Sequence, residues 1–316
     1  MATSVSNLMA GVAFAIAATL AWSLNFIAPY VTGAYSLYDL TAMRFLFAGV
    51  LGGAYLLLYP RQRRQLRLSQ QWLAATLGAI GYLGYGSCIA AGVALGGPVL
   101  TPALIGTVPV LLAVIGNIQE QQMPWRKLVA PLALIAAGLW LVNLALWAQP
   151  VASSRSITLA ILFSLSAIAL WVAFCVLNKR AMARMADCTT AVWTGLMMTG
   201  AGVATLGVIP AIYWLGLFKL PVLGFGLDVA LRLYGWALVI AVTSSITGAW
   251  AWNAATRRLP VALSGQLIAL ESLFATGLAL IFSGRPPTVA EMAGLLVVLL
   301  GTSLGIHAAS GAKRDR

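Results

Sequence analysis

The sequence predicts an all-α integral membrane protein, with ten transmembrane helices arranged as two inverted five-helix repeats and both termini in the cytoplasm. Three observations predict it. Of the 316 residues, 61% are hydrophobic and 8% charged, where a soluble domain carries about 25% charge, so polar surface is too scarce to cover a core in water. Ten windows approach the roughly 20 apolar residues that a spanning helix needs; they lie near 9–32, 36–58, 72–95, 98–119, 126–147, 157–178, 188–214, 232–256, 258–283 and 288–309. Basic residues are unevenly shared between the connecting segments. With the N-terminus inside, the cytoplasmic side holds 14 of them, from Arg61 to Arg316, and the outer side holds four, Arg155, Lys219, Arg232 and Arg285. Orientation follows this Lys/Arg bias, and it accounts for a net charge of +12 without a nucleic-acid partner.

The first window is too long for a signal-peptide core and no basic stretch precedes it, so it is retained as a span. The second ends at "RQRRQLR" (61–67), a juxtamembrane run suited to anionic headgroups. The third, "GAIGYLGYGSCIAAG" (78–92), sets Tyr82 and Tyr85 on one side of a glycine-rich helix that allows close approach or leaves a void. The fourth has Pro98, Pro102 and Pro109 in or beside it. A proline inside a span frees carbonyls that only protein or a watery cavity can re-satisfy, so this span is either kinked for packing or lines a cavity. The fifth and tenth carry Gly138, Gly301 and Gly305 as small residues at which helices pack. The sixth and seventh are apolar. The eighth, "TSSITGAWAWNAATRR" (243–258), is the most polar and aromatic of the ten. The ninth, "VALSGQLIALESLFATGLALIF" (261–282), holds a carboxylate, Glu271, at its middle.

The halves repeat. Trp22, Asn25, Phe26 and Pro29 fall at i, i+3, i+4 and i+7, and Trp171, Phe174, Cys175 and Asn178 repeat that spacing 149 residues later. "GPVLTPALIGTVPVLL" (97–112) parallels "LPVALSGQLIALESLF" (259–274), and "PWRKLVAPLALIAAG" (124–138) parallels "PTVAEMAGLLVVLLG" (287–301). The order is the same in both copies, which sets the units at 1–148 and 149–316. Five spans per unit turn the second copy upside down, a construction common in secondary transporters, with substrate bound near the midplane between the halves.

The Trp-x-x-Asn-Phe pattern of the first span, "DLTAMRF" (39–45) and "LESLFA" (270–275) together resemble the drug/metabolite transporter superfamily in its EamA-type ten-helix branch, and within it the YddG-type aromatic amino-acid exporters of bacterial inner membranes. The resemblance covers nearly the whole chain. It implies a secondary transporter that exports small amphipathic metabolites, aromatic amino acids first, by alternating access. It also implies an acidic residue closing the fourth and ninth helices. Glu120 supplies the first; the second half has "FSGRPP" there instead.

Candidate substrate contacts are the polar and aromatic residues that helical spacing turns inward: Trp22 and Asn25, Tyr82 and Tyr85, Trp171 and Asn178, Ser244, Trp250, Trp252 and Asn253, and Gln266. Rings could line a slot for a planar ligand while a few polar groups fix its ends; the alternative is that the tryptophans anchor helices at the headgroups. The faces bearing Trp22 and Trp171 should oppose each other across the cavity. Gln266 points away from the stripe of Ser264, Leu267 and Glu271. Charged residues inside the membrane are functional candidates by default. For Glu271 and Arg44 several roles stay open: a buried ion pair with each other, Arg44 held by carbonyls while Glu271 is simply protonated, Glu271 as a proton carrier, or Glu271 as a contact to a substrate ammonium. No metal or cofactor is expected, because His307 stands alone and Cys88, Cys175 and Cys188 have no metal spacing. The rival functions are transport of another metabolite or cationic drug, in either direction, and an intramembrane enzyme. The enzyme would need a paired nucleophile and base that these residues do not offer. The partners implied are a small-molecule substrate, the bilayer and, as a coupling ion, the proton.

Overall fold

A computed structural model describes residues 5–121, 123–144, 154–183, 185, 189–284 and 286–314. Trp147, Arg184, Cys188, Arg285 and Arg316, and the 148/149 junction between the halves, lie outside the described residues, as do the side chains of Pro98 and Arg155.

Among the described residues the chain is helical, with nine helices long and apolar enough to cross a membrane and a shorter apolar one, Val108–Glu120. The first span runs over Val5–Ser23, tightens to a 3-10 turn at Leu24–Ile27, and resumes at Ala28–Val31. The second is Leu37–Leu58, the fifth Trp125–Asn143, the sixth Ser154–Met182, the seventh Thr190–Trp214, the ninth Val261–Ser283 and the tenth Val289–Arg314. The third and eighth are interrupted alike. A π-helical segment, Ala79–Gly84, lies between Leu68–Gly78 and Tyr85–Ile105, and another, Ala241–Gly248, lies between Leu227–Ile240 and Ala249–Thr256. These two segments hold corresponding places in the two halves, and π-turns inside helices concentrate at functional sites.

Helical conformation persists from Tyr85 to Ile105, yet the chain reverses within it. A Cβ on Gly92 would lie 2.6 Å from the hydroxyl of Thr101, whereas nine residues of straight helix span about 13.5 Å. The third and fourth spans therefore separate near Gly96–Pro98, where the windows divide. Pro102 does not break the fourth span, which stays helical through Ile105; the break falls at Gly106–Thr107. The Gly106 N–H donates to the Pro102 carbonyl (2.8 Å), and Pro109 sits in the first turn of the next segment, where its missing N–H costs nothing.

The spans pair across the halves: second with seventh, third with sixth, fourth with ninth, fifth with tenth, and first with eighth and ninth. Third-with-sixth and first-with-eighth are one pairing with the halves exchanged. Small residues permit it. A Cβ at Gly78 would fall on the Met197 peptide and one at Gly200 on the Ala75 peptide, so the third and seventh helices meet backbone to backbone. Gly301 and Gly305 pack within the chain: Gly301 lies against the Pro131 carbonyl and Ile135, and Gly305 leaves room for the Gln266 amide.

Helix ends are tied by the few carboxylates. Asp39 and Ser36 form a capping box at the second span, and the other Asp39 oxygen accepts from the Lys219 and Leu220 N–H groups (both 2.9 Å). Glu120 accepts from the Val261 N–H (2.8 Å), capping the ninth helix from the end of the fourth. Thr288 and Glu291 cap the tenth. A carboxylate at a helix N-terminus satisfies N–H groups that have no partner within the helix and complements the dipole.

Candidate functional site

A half-open cavity of about 340 Å³ occupies the half of the bundle away from the main arginine and lysine cluster. The first span contributes Phe26, Pro29 and Tyr30 from just beyond its 3-10 turn; the third gives Tyr85, the fifth Asn143 and the sixth Trp171. The broken part of the fourth, with Pro102, Gly106, Val108 and Pro109, forms one wall. The ninth faces it with Ile268, Glu271, Ser272, Ala275, Thr276 and Ala279. Non-helical backbone at membrane depth is tolerated where it lines such a cavity. Glu271 lies ten residues above the Val261 cap, so it sits about 15 Å into the bilayer from that end.

Glu271 is the sole Asp or Glu among the lining residues, and no His, Cys, Lys or Arg joins it. It makes no hydrogen bond or ion pair among the described residues. Tyr85 and Trp171 lie with ring centroids 4.8 Å apart, so a carboxylate and an aromatic wall share one small chamber. Glu271 and Arg44 do not form the ion pair that is one of the expected alternatives. The Arg44 guanidinium donates to the Asn25 side-chain oxygen, lies over the Phe45 ring at 4.2 Å, and is absent from the cavity wall. The same Asn25 oxygen accepts from the Ser244 hydroxyl (3.1 Å). Asn25 sits in the 3-10 turn and Ser244 in a π segment, so both interruptions meet at one hydrogen-bonded junction.

Of the residues expected in the site, Tyr85, Trp171 and Glu271 line the cavity. Trp22, Tyr82 and Trp252 lie just beyond, in the packed half. The Trp22 and Trp171 faces do not oppose each other across the cavity but pack directly: their ring centroids are 5.3 Å apart, Trp22 to Trp252 is 5.2 Å, and Tyr82 stands edge-on to Trp171 and Phe174. This cluster floors the cavity. Asn178 and Asn253, both fully buried, are engaged elsewhere. The Asn178 amide donates to Asn253 (2.8 Å), Trp193 donates to Asn178 (2.8 Å), and Asn253 donates to the Thr194 hydroxyl (2.9 Å), which ties the sixth, seventh and eighth helices together. Gln266 donates to the Ala262 carbonyl (3.2 Å) and faces the tenth helix. Trp250 is 39% exposed, edge-on to Phe14 at 5.5 Å, on the outer face of the bundle. The eighth span therefore contributes nothing to the cavity wall, and the fifth does.

Tyr30, Asn143, Ser272 and Thr276 line the cavity without having been expected there. For the ninth helix a signal was present: Ala275 and Ala279 follow Glu271 at i+4 and i+8, a small-residue stripe that leaves space beside the carboxylate. Tyr30 and Asn143 sit at helix ends, where periodicity carries no information.

The packed half is sealed at the basic end. Lys179 donates to the carbonyls of Thr256 and Leu259, as cations do at helix C-termini. Arg257 holds the Met185 carbonyl (2.6 Å) and Arg180 reaches Gln119 (3.3 Å). Inside this half, Trp22 Nε1, Trp252 Nε1, the Tyr82 hydroxyl and the Ser245 hydroxyl are buried without a hydrogen-bond partner. Groups of this kind are rare in a settled core.

The Asn178–Asn253 network gives a direct prediction. Asn253→Leu strands the Asn178 amide N–H, at about 1–3 kcal/mol for a buried group left unsatisfied, while the Thr194 hydroxyl keeps its bond to the Thr190 carbonyl (3.0 Å). The expected result is a lowered thermal midpoint in detergent with ligand binding at the cavity unchanged, read by thermal unfolding with and without ligand.

One family model, that of the EamA-like transporter family, matches residues 9–144 and again residues 158–306. The chain is 28% identical over 313 residues to "Inner membrane protein YtfF" of Escherichia coli (strain K12), covering 95% of this chain and 96% of that protein. A solved crystal structure matches with a TM-score of 0.72 over 93% of this chain and 97% of its own, at 18% identity, a likeness of fold. Helices long enough to span a membrane, a cavity between them, and one family model fitted once to each half give the conclusion: this chain belongs to the EamA-like transporter family.

Proposed function

We propose that the chain is a secondary transporter of the bacterial inner membrane, made of two inverted halves, 1–148 and 149–316, that exports small amphipathic metabolites, aromatic amino acids foremost, by alternating access. One observation carries this reading: a cavity holding a single carboxylate beside aromatic rings is open in one half of the bundle, while the other half is packed shut. Lys/Arg bias assigns the sealed end to the cytoplasm, so the open half faces outward. Exchange of the two arrangements would open the sealed half. The inner-membrane relative supports the location. A carrier is preferred to an intramembrane enzyme because, among the described residues, none of the hydroxyls lining the cavity is hydrogen-bonded to Glu271 as a nucleophile to its base.

Glu271 would meet the substrate's ammonium group, and Tyr85, Trp171, Phe26 and Tyr30 its ring; a cation also gains about 0.5–2 kcal/mol from a desolvated ring face. Labelled Phe or Trp should accumulate in proteoliposomes containing the purified protein, and an imposed pH gradient should change the rate if protons are coupled. Absence of flux with every aromatic amino acid overturns the substrate while leaving the fold untouched.

One observation favours a second reading. No basic side chain lines the cavity, and Arg44 is held by Asn25, so a substrate carboxylate would face Glu271 with no compensating cation. Aromatic amines without a carboxylate fit the same walls. Competition by tryptamine stronger than competition by tryptophan would decide for them.

A further inference from the structure

A second depression, about 510 Å³, lies on the outer face of the bundle between the second, seventh and eighth helices. Its lining is apolar apart from Tyr55 and two threonines, and it has no connection to Glu271. Small residues form its floor: Gly52 and Gly195 bring the second and seventh helices so close that a Cβ on Gly52 would lie 2.7 Å from the Gly195 carbonyl. Tyr55, Met198 and Trp250 stand as its banks. Thr247 and Trp250 face outward from the eighth helix, and Trp250 is fixed there by Phe14.

The trough leads to a basic rim. Tyr55 lines it and donates through its hydroxyl to Gln62 (3.2 Å), a residue inside the run Arg61, Gln62, Arg63, Arg64. Arg61 and Arg64 are exposed. Ala191 lines the seventh-helix side at the start of that helix, and next to it the Thr190 hydroxyl accepts from Arg257 (3.5 Å). The lengths agree with one leaflet. The seven residues from Leu51 to the helix end at Leu58 rise about 10.5 Å, and Tyr59 then leads directly into the short helix Pro60–Arg63, within the depth of one leaflet of a hydrocarbon core of about 30 Å. An apolar trough of leaflet depth that ends at a cluster of arginines is complementary to one class of ligand, with a chain below and an anionic group above. Basic sites between spans on the cytoplasmic side hold anionic headgroups in this way.

We propose that this trough is a binding site for an anionic phospholipid of the cytoplasmic leaflet, its acyl chain along Gly52, Gly195 and Trp250 and its phosphate at Arg61, Arg63 and Arg64. Trp250 is thereby a lipid contact, separate from the transport cavity.

The test is native mass spectrometry of the full chain, delipidated in detergent and titrated with phosphatidylglycerol or phosphatidylcholine of identical acyl chains. The unmodified protein should retain phosphatidylglycerol at least about tenfold better, and neutralising the arginines as R61Q/R63Q/R64Q should weaken that retention by about fivefold for each charge removed. Filling the trough by Thr247→Phe, or by Ala191→Leu as a second variant, should reduce phosphatidylglycerol retention with the arginines intact. Equal retention of the two lipids by the unmodified protein overturns the proposal. Undiminished retention in both trough-filled variants also overturns it, since the headgroup attraction would then need no trough.

Discussion

Glu271→Gln is expected to leave a folded protein whose transport is reduced by about tenfold to a hundredfold. The side chain lies on a cavity wall and makes no hydrogen bond or ion pair among the described residues, so the amide strands nothing and disturbs no packing. Transport loses the charge-assisted contact to a ligand ammonium or to a proton, worth about 1.5–3 kcal/mol. The other described carboxylates with partners have structural work: Asp39, Glu120 and Glu291 each accept from backbone N–H groups at helix ends. Initial uptake rates in proteoliposomes at several pH values separate the roles. Reduced uptake with the pH dependence retained favours the substrate contact. Reduced uptake with the pH dependence flattened favours the proton. Rates and pH profile equal to the parent's remove Glu271 from the mechanism altogether. Arg44 offers the contrast, because its guanidinium holds Asn25 at the junction of the first and second spans. Arg44→Leu leaves the Asn25 oxygen with the Ser244 hydroxyl alone and acts first on stability.

Gly78→Leu is expected to prevent the native packing of the third helix against the seventh. The added Cβ would meet the Met197 peptide, with its Cα at 2.6 Å, and a backbone cannot step aside as a side-chain tip can. Gly200 meets the Ala75 peptide in the same way, so the contact is reciprocal and no single shift relieves it. The cost lies at or above the upper end of overpacking, about 3 kcal/mol. It should appear as aggregation or loss of a monodisperse peak on size exclusion. Gly53→Ala is the control: the nearest atom to its new Cβ is the Thr199 hydroxyl at 3.9 Å, so the protein should purify like the parent. A monodisperse Gly78→Leu protein with the parent's thermal midpoint would show that the two helices do not approach this closely.

The number and limits of the spans, their Lys/Arg asymmetry and the parallel between the halves were legible in the sequence, because bilayer thickness and solvation act on composition over stretches of about 20 residues. That Glu271, Tyr85 and Trp171 line the cavity was legible for a related reason. Polar and aromatic groups at the middle of a span are costly unless they face protein or a cavity, so chemistry alone marks them. The prolines of the fourth span pointed to irregular backbone near the cavity, though not to the step at Gly106–Thr107.

Other assignments needed the tertiary structure. Asn178, Asn253 and Gln266 are the residue types expected in a binding site, yet the same amides also satisfy one another in a core. Which of these happens depends on the register of helices far apart in the chain, here Asn178 against Asn253 and Trp193. Trp250 and Trp252, two residues apart, lie on opposite sides of any α-helix, and contacts with Phe14 and Trp22 decide that Trp252 is the buried one. The matched π segments, the 3-10 turn at Asn25 and the opening of the cavity leave no periodic trace, since each is set by how helices meet. What the sequence determined by itself is the solvent of this protein, its repeated plan and the presence of a charge at mid-membrane. What only the tertiary structure decided is which polar groups face one another and which face an opening, because that choice is made by contacts between spans and not along them.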